Sequence, residues 1–172
     1  CVPSLPSVVR IGSLSRAQLF DAVRTGNVRI NQAAEELFAD ERFTTLGREH
    51  VVPIVARTVG DLGFPSGAVY ADLTARAQEL GCVECPLELG PHLRLQFTAQ
   101  HDSDDGLPLT HGRAPPGSVA VASRPLDDRD DTPKGFYLRR LGDVLWLRGW
   151  RSSSDHVWSP EDVFVFARSA VT

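Results

Sequence analysis

The stretch that decides the fold is Gly135-Phe136-Tyr137-Leu138-Arg139-Arg140-Leu141-Gly142-Asp143-Val144-Leu145-Trp146-Leu147-Arg148-Gly149-Trp150. Gly142-Asp143 has the composition of a two-residue hairpin turn, and a turn of that length fixes the pairing register. Leu141 then faces Val144, Arg140 faces Leu145, Arg139 faces Trp146, Leu138 faces Leu147 and Tyr137 faces Arg148. Side chains alternate across a strand, so Phe136, Leu138, Leu145 and Leu147 share one face, interrupted by Arg140. That is the core face. The other carries Tyr137, Arg139, Trp146 and Arg148, with Leu141 and Val144 near the turn. Arg139 over Trp146 is expected as a cation–π pair worth about 0.5–2 kcal/mol.

Working outward, residues 92–97 also alternate, with Leu93, Leu95 and Phe97 on one side and His92, Arg94 and Gln96 on the other. They read as a strand that would lie beside the hairpin. Further strands are expected at 117–123 and at Val163 to Arg168, the latter after Ser159-Pro160-Glu161-Asp162, a turn that also resembles a helix start. Val51, Val52, Ile54, Val55, Thr58 and Val59 mark another strand, which Pro53 places at a sheet edge or a bulge. Three helices precede or interrupt these strands. Ser15-Arg16-Ala17-Gln18 fits a capping box and opens a helix that buries Leu19, Val23 and Phe20 and stops at Gly26. Asn31 caps a second, striped by Ala34, Leu37 and Phe38, and the tight 27–30 connection makes the pair an αα-hairpin. Ser66 is expected to cap the third, striped by Tyr70, Leu73, Ala77 and Leu80 and ended by Gly81. The order predicts one α+β domain over residues 1–172. An irregular lead-in at 1–12 precedes helices packed on a curved, mainly antiparallel sheet or half-barrel.

Composition narrows the function. In 172 residues there are 18 basic and 22 acidic side chains, a net charge of −4, and 42% are hydrophobic. That is an ordinary globular balance, which excludes disordered and collagen-like classes. No apolar run reaches the roughly 20 residues of a membrane helix, and a pI near 5.7 argues against a general nucleic-acid binder. Of the basic residues 17 are Arg, and the one Lys, Lys134, sits between Pro133 and Gly135. A phosphate-cradling Gly-rich loop with its Lys is therefore excluded, and nothing implies a cofactor. Three Cys do not make a disulfide scaffold. Cys1 would suit a lipoprotein anchor, but without a visible signal segment a cytoplasmic protein is the expectation.

Several motifs invite chemistry. Cys82-Val83-Glu84-Cys85 follows a helix stop, where the helix dipole opposes a low thiol pKa. His92 and His101 lie at no common zinc-finger spacing from it. Two semi-buried thiols are expected. Asp102-Ser103-Asp104-Asp105-Gly106 misses the EF-hand spacing and has Arg113 where the twelfth-position Glu belongs, so the 101–116 and 124–133 loops read as solvated acidic loops. Ser152-Ser153-Ser154-Asp155-His156 has the residue types of a hydrolase triad, but sequence neighbours rarely form one.

Three stretches carry a resemblance: residues 73–81 (LTARAQELG), 85–96 (CPLELGPHLRLQ) and 157–162 (VWSPED). The chain resembles a family of small uncharacterised bacterial proteins of the kind encoded in integron gene cassettes. The resemblance covers most of residues 13–168 and implies no activity, only a single intracellular domain. Two functions therefore stay open. One is a non-enzymatic domain binding a small anionic or aromatic ligand, or a partner, through Arg94, Tyr137, Arg139, Trp146, Arg148 and His92 on the sheet face. The other is a hydrolase using His92, Glu88 and Arg94 at the same mouth. The Trp residues at 146, 150 and 158 either belong to that surface or close a second hydrophobic layer under the N-terminal helices.

Overall fold

The computed structural model describes residues 3–102 and 117–169. Its elements are β1 (Val8–Ile11), α1 (Arg16–Thr25), β2 (Val28–Ile30), α2 (Gln32–Ala39), β3 (His50–Thr58), β4 (Ala68–Val69), α3 (Tyr70–Glu79), β5 (Cys82–Val83), α4 (Leu89–Gln96), β6 (Val119–Val121), β7 (Gly135–Leu141), β8 (Val144–Trp150), β9 (Val157–Trp158) and β10 (Val163–Arg168). The large sheet runs β1-β3-β10-β6-β7-β8-β2, with β5 also on β10. The β10–β6 and β2–β8 pairs are parallel and the others antiparallel, so a curled, mainly antiparallel half-barrel results. No helix among the described residues is long and apolar enough to cross a membrane.

The β7–β8 register is the one the turn dictates, from Leu141↔Val144 to Tyr137↔Arg148, and Gly142 takes a φ of 58°. Phe136, Leu138 and Leu147 are buried. They join Leu19, Val23, Leu37, Phe38, Leu89 and Leu93 in the concave core, filled by α1, α2 and α4. The capping box of Ser15 and Gln18 forms, and Asn31 caps α2 through Ala34 N–H. The Asn31 side chain also exchanges hydrogen bonds with the backbone of Gly149 at 2.9 and 3.1 Å, which ties α2 to β8. A Cβ at Gly149 would lie 2.6 Å from the Ala33 carbonyl carbon and 2.8 Å from the Ala34 nitrogen, so only Gly permits this approach.

Strands β6 and β10 are buried on both sides. Val163, Val165 and Ala167 point into the concave core, while Phe164 and Phe166 enter a second core. There they meet Leu73 and Ala77 of α3 together with Trp150 and Trp158. The aromatic residues thus close an outer layer beneath α3, not beneath the N-terminal helices.

Five local expectations are corrected. Residues 92–97 are not a strand: α4 spans Leu89–Gln96, because Leu89, Leu93 and Phe97 recur every four residues and all three are buried. Pro91 lies in the first helical turn, where its missing N–H costs nothing. Residues 28–30 are not a bare connector but strand β2 on the edge of β8, so α1 and α2 are not an αα-hairpin. The lead-in is ordered at Val8–Ile11, paired with His50–Pro53 of β3. At Pro53 the strand hands over, since the next residues pair with β10 instead. Ser66 does not cap α3; Ala68 and Val69 pair with Trp158 and Val157 first, and the helix starts after them without a side-chain cap. Ser159–Asp162 is a closed turn: Asp162 N–H donates to Ser159 O, and Ser159 N–H donates to the Asp162 carboxylate.

Leu147→Ala should destabilise the protein by about 2–5 kcal/mol through the cavity it leaves. Gly149→Ala should also destabilise it, because helix backbone must retreat. Denaturant midpoints read both; an unchanged midpoint for Leu147→Ala would reject the register.

Candidate functional site

The expected site residues divide between the two faces of the sheet. Arg94 is fully buried on the concave side. Its guanidinium donates to the Gln100 side chain at 2.6 Å, to Trp146 O at 3.3 Å, to Arg139 O at 3.5 Å and to Phe97 O. Burial, and then the neighbouring Arg140 charge, lower its pKa to about 10, still well above neutrality. A helix in place of a strand explains the displacement: α4 aims Arg94 at β7 and β8 from below. His92 and Glu88 are in the same core, 6% and 1% exposed. Glu88 accepts Leu46 N–H at 2.9 Å with one oxygen, and the other lies 3.5 Å from His92 Nε2. The His–carboxylate pair expected of a hydrolase is thus assembled, but inside the packed core.

Tyr137, Arg139, Trp146 and Arg148 do share the outer face of the hairpin. Arg139 is 7% exposed and engaged, whereas Tyr137, Trp146 and Arg148 are half-buried. The cation over Trp146 is Arg148, two residues along the same strand, with Cζ 4.3 Å from the ring centroid. This replaces the expected Arg139–Trp146 stack. Arg148 Nε is buried without a hydrogen-bond partner.

Sequence reasoning missed the neighbour. Arg29 of β2 is the Cα partner of Trp146 in the parallel β2–β8 ladder, so it projects from the same face and is exposed. Trp146 and Arg29 line a groove of about 360 Å³ with Arg24, Phe20 and Glu35. Arg24 stacks on Phe20 at 5.5 Å. Glu35 is the one acid in that lining. The missed signal was Val28-Arg29-Ile30, an alternating triplet too short to stand out beside two helices.

Cys82 and Cys85 are buried and unpaired, with the Cys85 thiol directed at Val165 O at 3.7 Å. Burial first, and then the Glu84 charge, push the Cys85 pKa up, away from a reactive thiolate. Among the described residues no group of three or more His, Cys, Asp or Glu side chains is placed to hold a metal ion. Beyond Asp102, the acidic run to Gly106 lies outside the described residues. The other acidic loop is held down. Lys134, 7% exposed, donates to the carbonyls of Asp127 and Arg129, and Arg42 bridges Asp40 at 2.8 Å and Asp127 at 2.9 Å. Arg129 N–H first, then Arg42 and Thr132, hold the Asp127 pKa down at about 2.

No family model, no curated protein and no solved structure matches this chain.

Asp127 should titrate near 2 by carboxylate NMR, against 3.8 for an unperturbed Asp. Its folded pKa is depressed, so its contribution to stability is present above the unfolded value and is lost as pH falls through the folded one. The Arg42 link to the 124–133 loop should therefore weaken between about pH 4 and pH 2 and stay intact above that window. A midpoint at the unperturbed value would show that the loop is not clamped.

Proposed function

We propose that the protein is a non-enzymatic binding domain for a small anion with an apolar or aromatic body, held on the outer face by Arg29 and Arg148 around Trp146. The observation that carries this reading is the Arg148 guanidinium, 4.3 Å above Trp146, with its Nε buried and unbonded. A partly buried guanidinium that meets no carboxylate among the described residues is suited to an incoming one. Arg29 adds a second cation on the same face, and Arg24 a third along the adjoining groove. Guanidinium groups grip carboxylate and phosphate by two parallel hydrogen bonds, and the indole supplies apolar area for the rest of the ligand. An overall charge of −4 works against an extended polyanion and favours a small one.

Benzoate and phenyl phosphate are the probes, with inorganic phosphate and benzylamine as controls. Both aromatic anions should raise the melting temperature and quench tryptophan fluorescence, with Kd values of about 0.1–1 mM. Benzylamine should not bind on this face. Arg148→Ala and Trp146→Ala should each weaken the aromatic anions by about tenfold. The reading fails if neither aromatic anion binds up to about 10 mM, or if both bind the Arg148→Ala protein unchanged.

A further inference from the structure

The groove beside Trp146 also runs along an open sheet edge. β2 is the last strand of the large sheet and pairs with β8 on one side only. Its side chains alternate: Arg29 projects on the outer face with Trp146, whereas Val28 and Ile30 turn inward and pack on the concave core. All three residues line the groove, with Trp146 on the outer side and Phe20, Arg24 and Glu35 of the two helices on the inner side. A groove that draws its walls from both faces of an edge strand has that strand's open backbone as its floor.

The direction of this backbone follows from its neighbour. Gly149 N–H donates to the Asn31 side chain and Gly149 O accepts from it, so Gly149 faces the β2 side. By alternation Leu147 and Leu145 face β2 as well. In the observed parallel register Arg29 lies opposite Trp146, between those two, and makes the ladder bonds. The N–H and C=O groups of Val28 and Ile30 therefore point away from the sheet, and no protein group meets them among the described residues. Val28 is 7% exposed, and unpaired backbone groups at so buried a residue are rare in folded proteins.

Charge selects the occupant. Arg24 and Arg29 make no ion pair among the described residues, and Arg148 lies over Trp146 on the outer face, with Glu35 the one acid set against them. A second copy is a poor fit, because an antiparallel β2–β2 pair about a two-fold axis places Arg29 directly opposite Arg29. A charge in a three-residue edge strand guards against such self-pairing and favours a partner of opposite sign.

We infer that the β2 edge takes an extended peptide as an added strand, with an acidic residue opposite Arg29 flanked by two apolar ones. This rests on the reading of the outer face as an anion site, and makes the acidic side chain the anion. The acid projects outward beside Arg29 and Trp146, and its two neighbours turn inward toward Phe20. Main-chain hydrogen bonds to Val28 and Ile30 hold the segment, and the alternation sets the choice of side chains.

The probe is the capped peptide acetyl-Thr-Val-Glu-Val-Thr-amide. Its controls carry Gln or Lys at the centre, or N-methyl groups on the three central amides. Tryptophan fluorescence follows binding, and hydrogen exchange at the Val28 and Ile30 amides, read by NMR, follows pairing. The Glu peptide should bind and slow both amides at least about tenfold, whereas benzoate should leave both unchanged. The Gln peptide should bind about fivefold more weakly, the Lys peptide at least about tenfold more weakly, and the N-methylated peptide should not bind. Arg29→Glu, at an exposed position, should reverse the order so that the Lys peptide binds best. The inference is overturned if benzoate binds but the Glu peptide does not up to about 5 mM, if the peptide binds without slowing those amides, or if Arg29→Glu leaves the order unchanged. Amides already slow in a free protein that sediments as a dimer would assign the edge to a second copy and also overturn it. Slowed amides with the Glu peptide but no benzoate binding would support the added strand and remove only the small ligand; if neither binds, both readings fall.

Discussion

Arg94 is wholly buried, and its guanidinium hydrogen-bonds the carbonyls of Phe97, Arg139 and Trp146 and the side chain of Gln100. Gln100 in turn donates to Leu138 O and Gly117 O at 3.0 Å. One charge thus clamps α4, the chain that leaves it, and both strands of the β7–β8 hairpin. Burying a cation is costly unless its donors are met; Nη1 and Nη2 meet theirs while Nε has no partner, so moving any of these acceptors would strand the charge further. At the other side of the helix, the Gln96 side chain bonds both Arg10 N and Arg10 O, as a neighbouring strand would. Helix α4 therefore spans the half-barrel from its β1 edge to its hairpin and holds the sheet curled.

The concave side is filled by α1, α2 and α4, and α3 covers only part of the outer face. Its apolar stripe of Leu73 and Ala77 seals β10 and β6 through Phe164, Phe166 and the two inner tryptophans. Where the cover stops, toward β2, Trp146 and its arginines are left at the surface. At the start of α3 the layer opens instead into a cleft walled by Tyr70 and Trp150. The strand β8 supplies both tryptophans from one face, because residues 146 and 150 differ by an even number of steps.

The electrostatics follow the same division. Among the described residues, Arg29 and Arg148 lie beside Trp146 with no ion pair, whereas Glu84, Asp128 and Asp130 line the cleft. Yet the chain is not short of counter-charges. Arg42, Arg129 and Arg151 are all paired with acids at the surface. Exposed pairs of that kind contribute little to stability, so the selective pairing matters mainly for which charges remain available to ligands.

What the sequence alone determined is what short-range physics controls. The Gly142-Asp143 turn fixed the hairpin register, the Ser15 and Asn31 caps fixed two helix starts, and period-two alternation separated the hairpin's faces. Each depends on residues only a few positions apart. The tertiary structure decided the rest. Residues 89–97 satisfy a period of two through Leu93, Leu95 and Phe97, and a period of four through Leu89, Leu93 and Phe97. The second prevails because Gly90 lets the helix close on Phe136, where a Cβ would come within 2.8 Å, and because Arg94 finds its carbonyls only from a helix. Likewise, Arg29 reaches Trp146 across 117 positions of chain, through a three-residue strand with no local signature. Which arginine lies over which tryptophan depends on rotamers chosen by packing, and no spacing rule in the sequence carries that information.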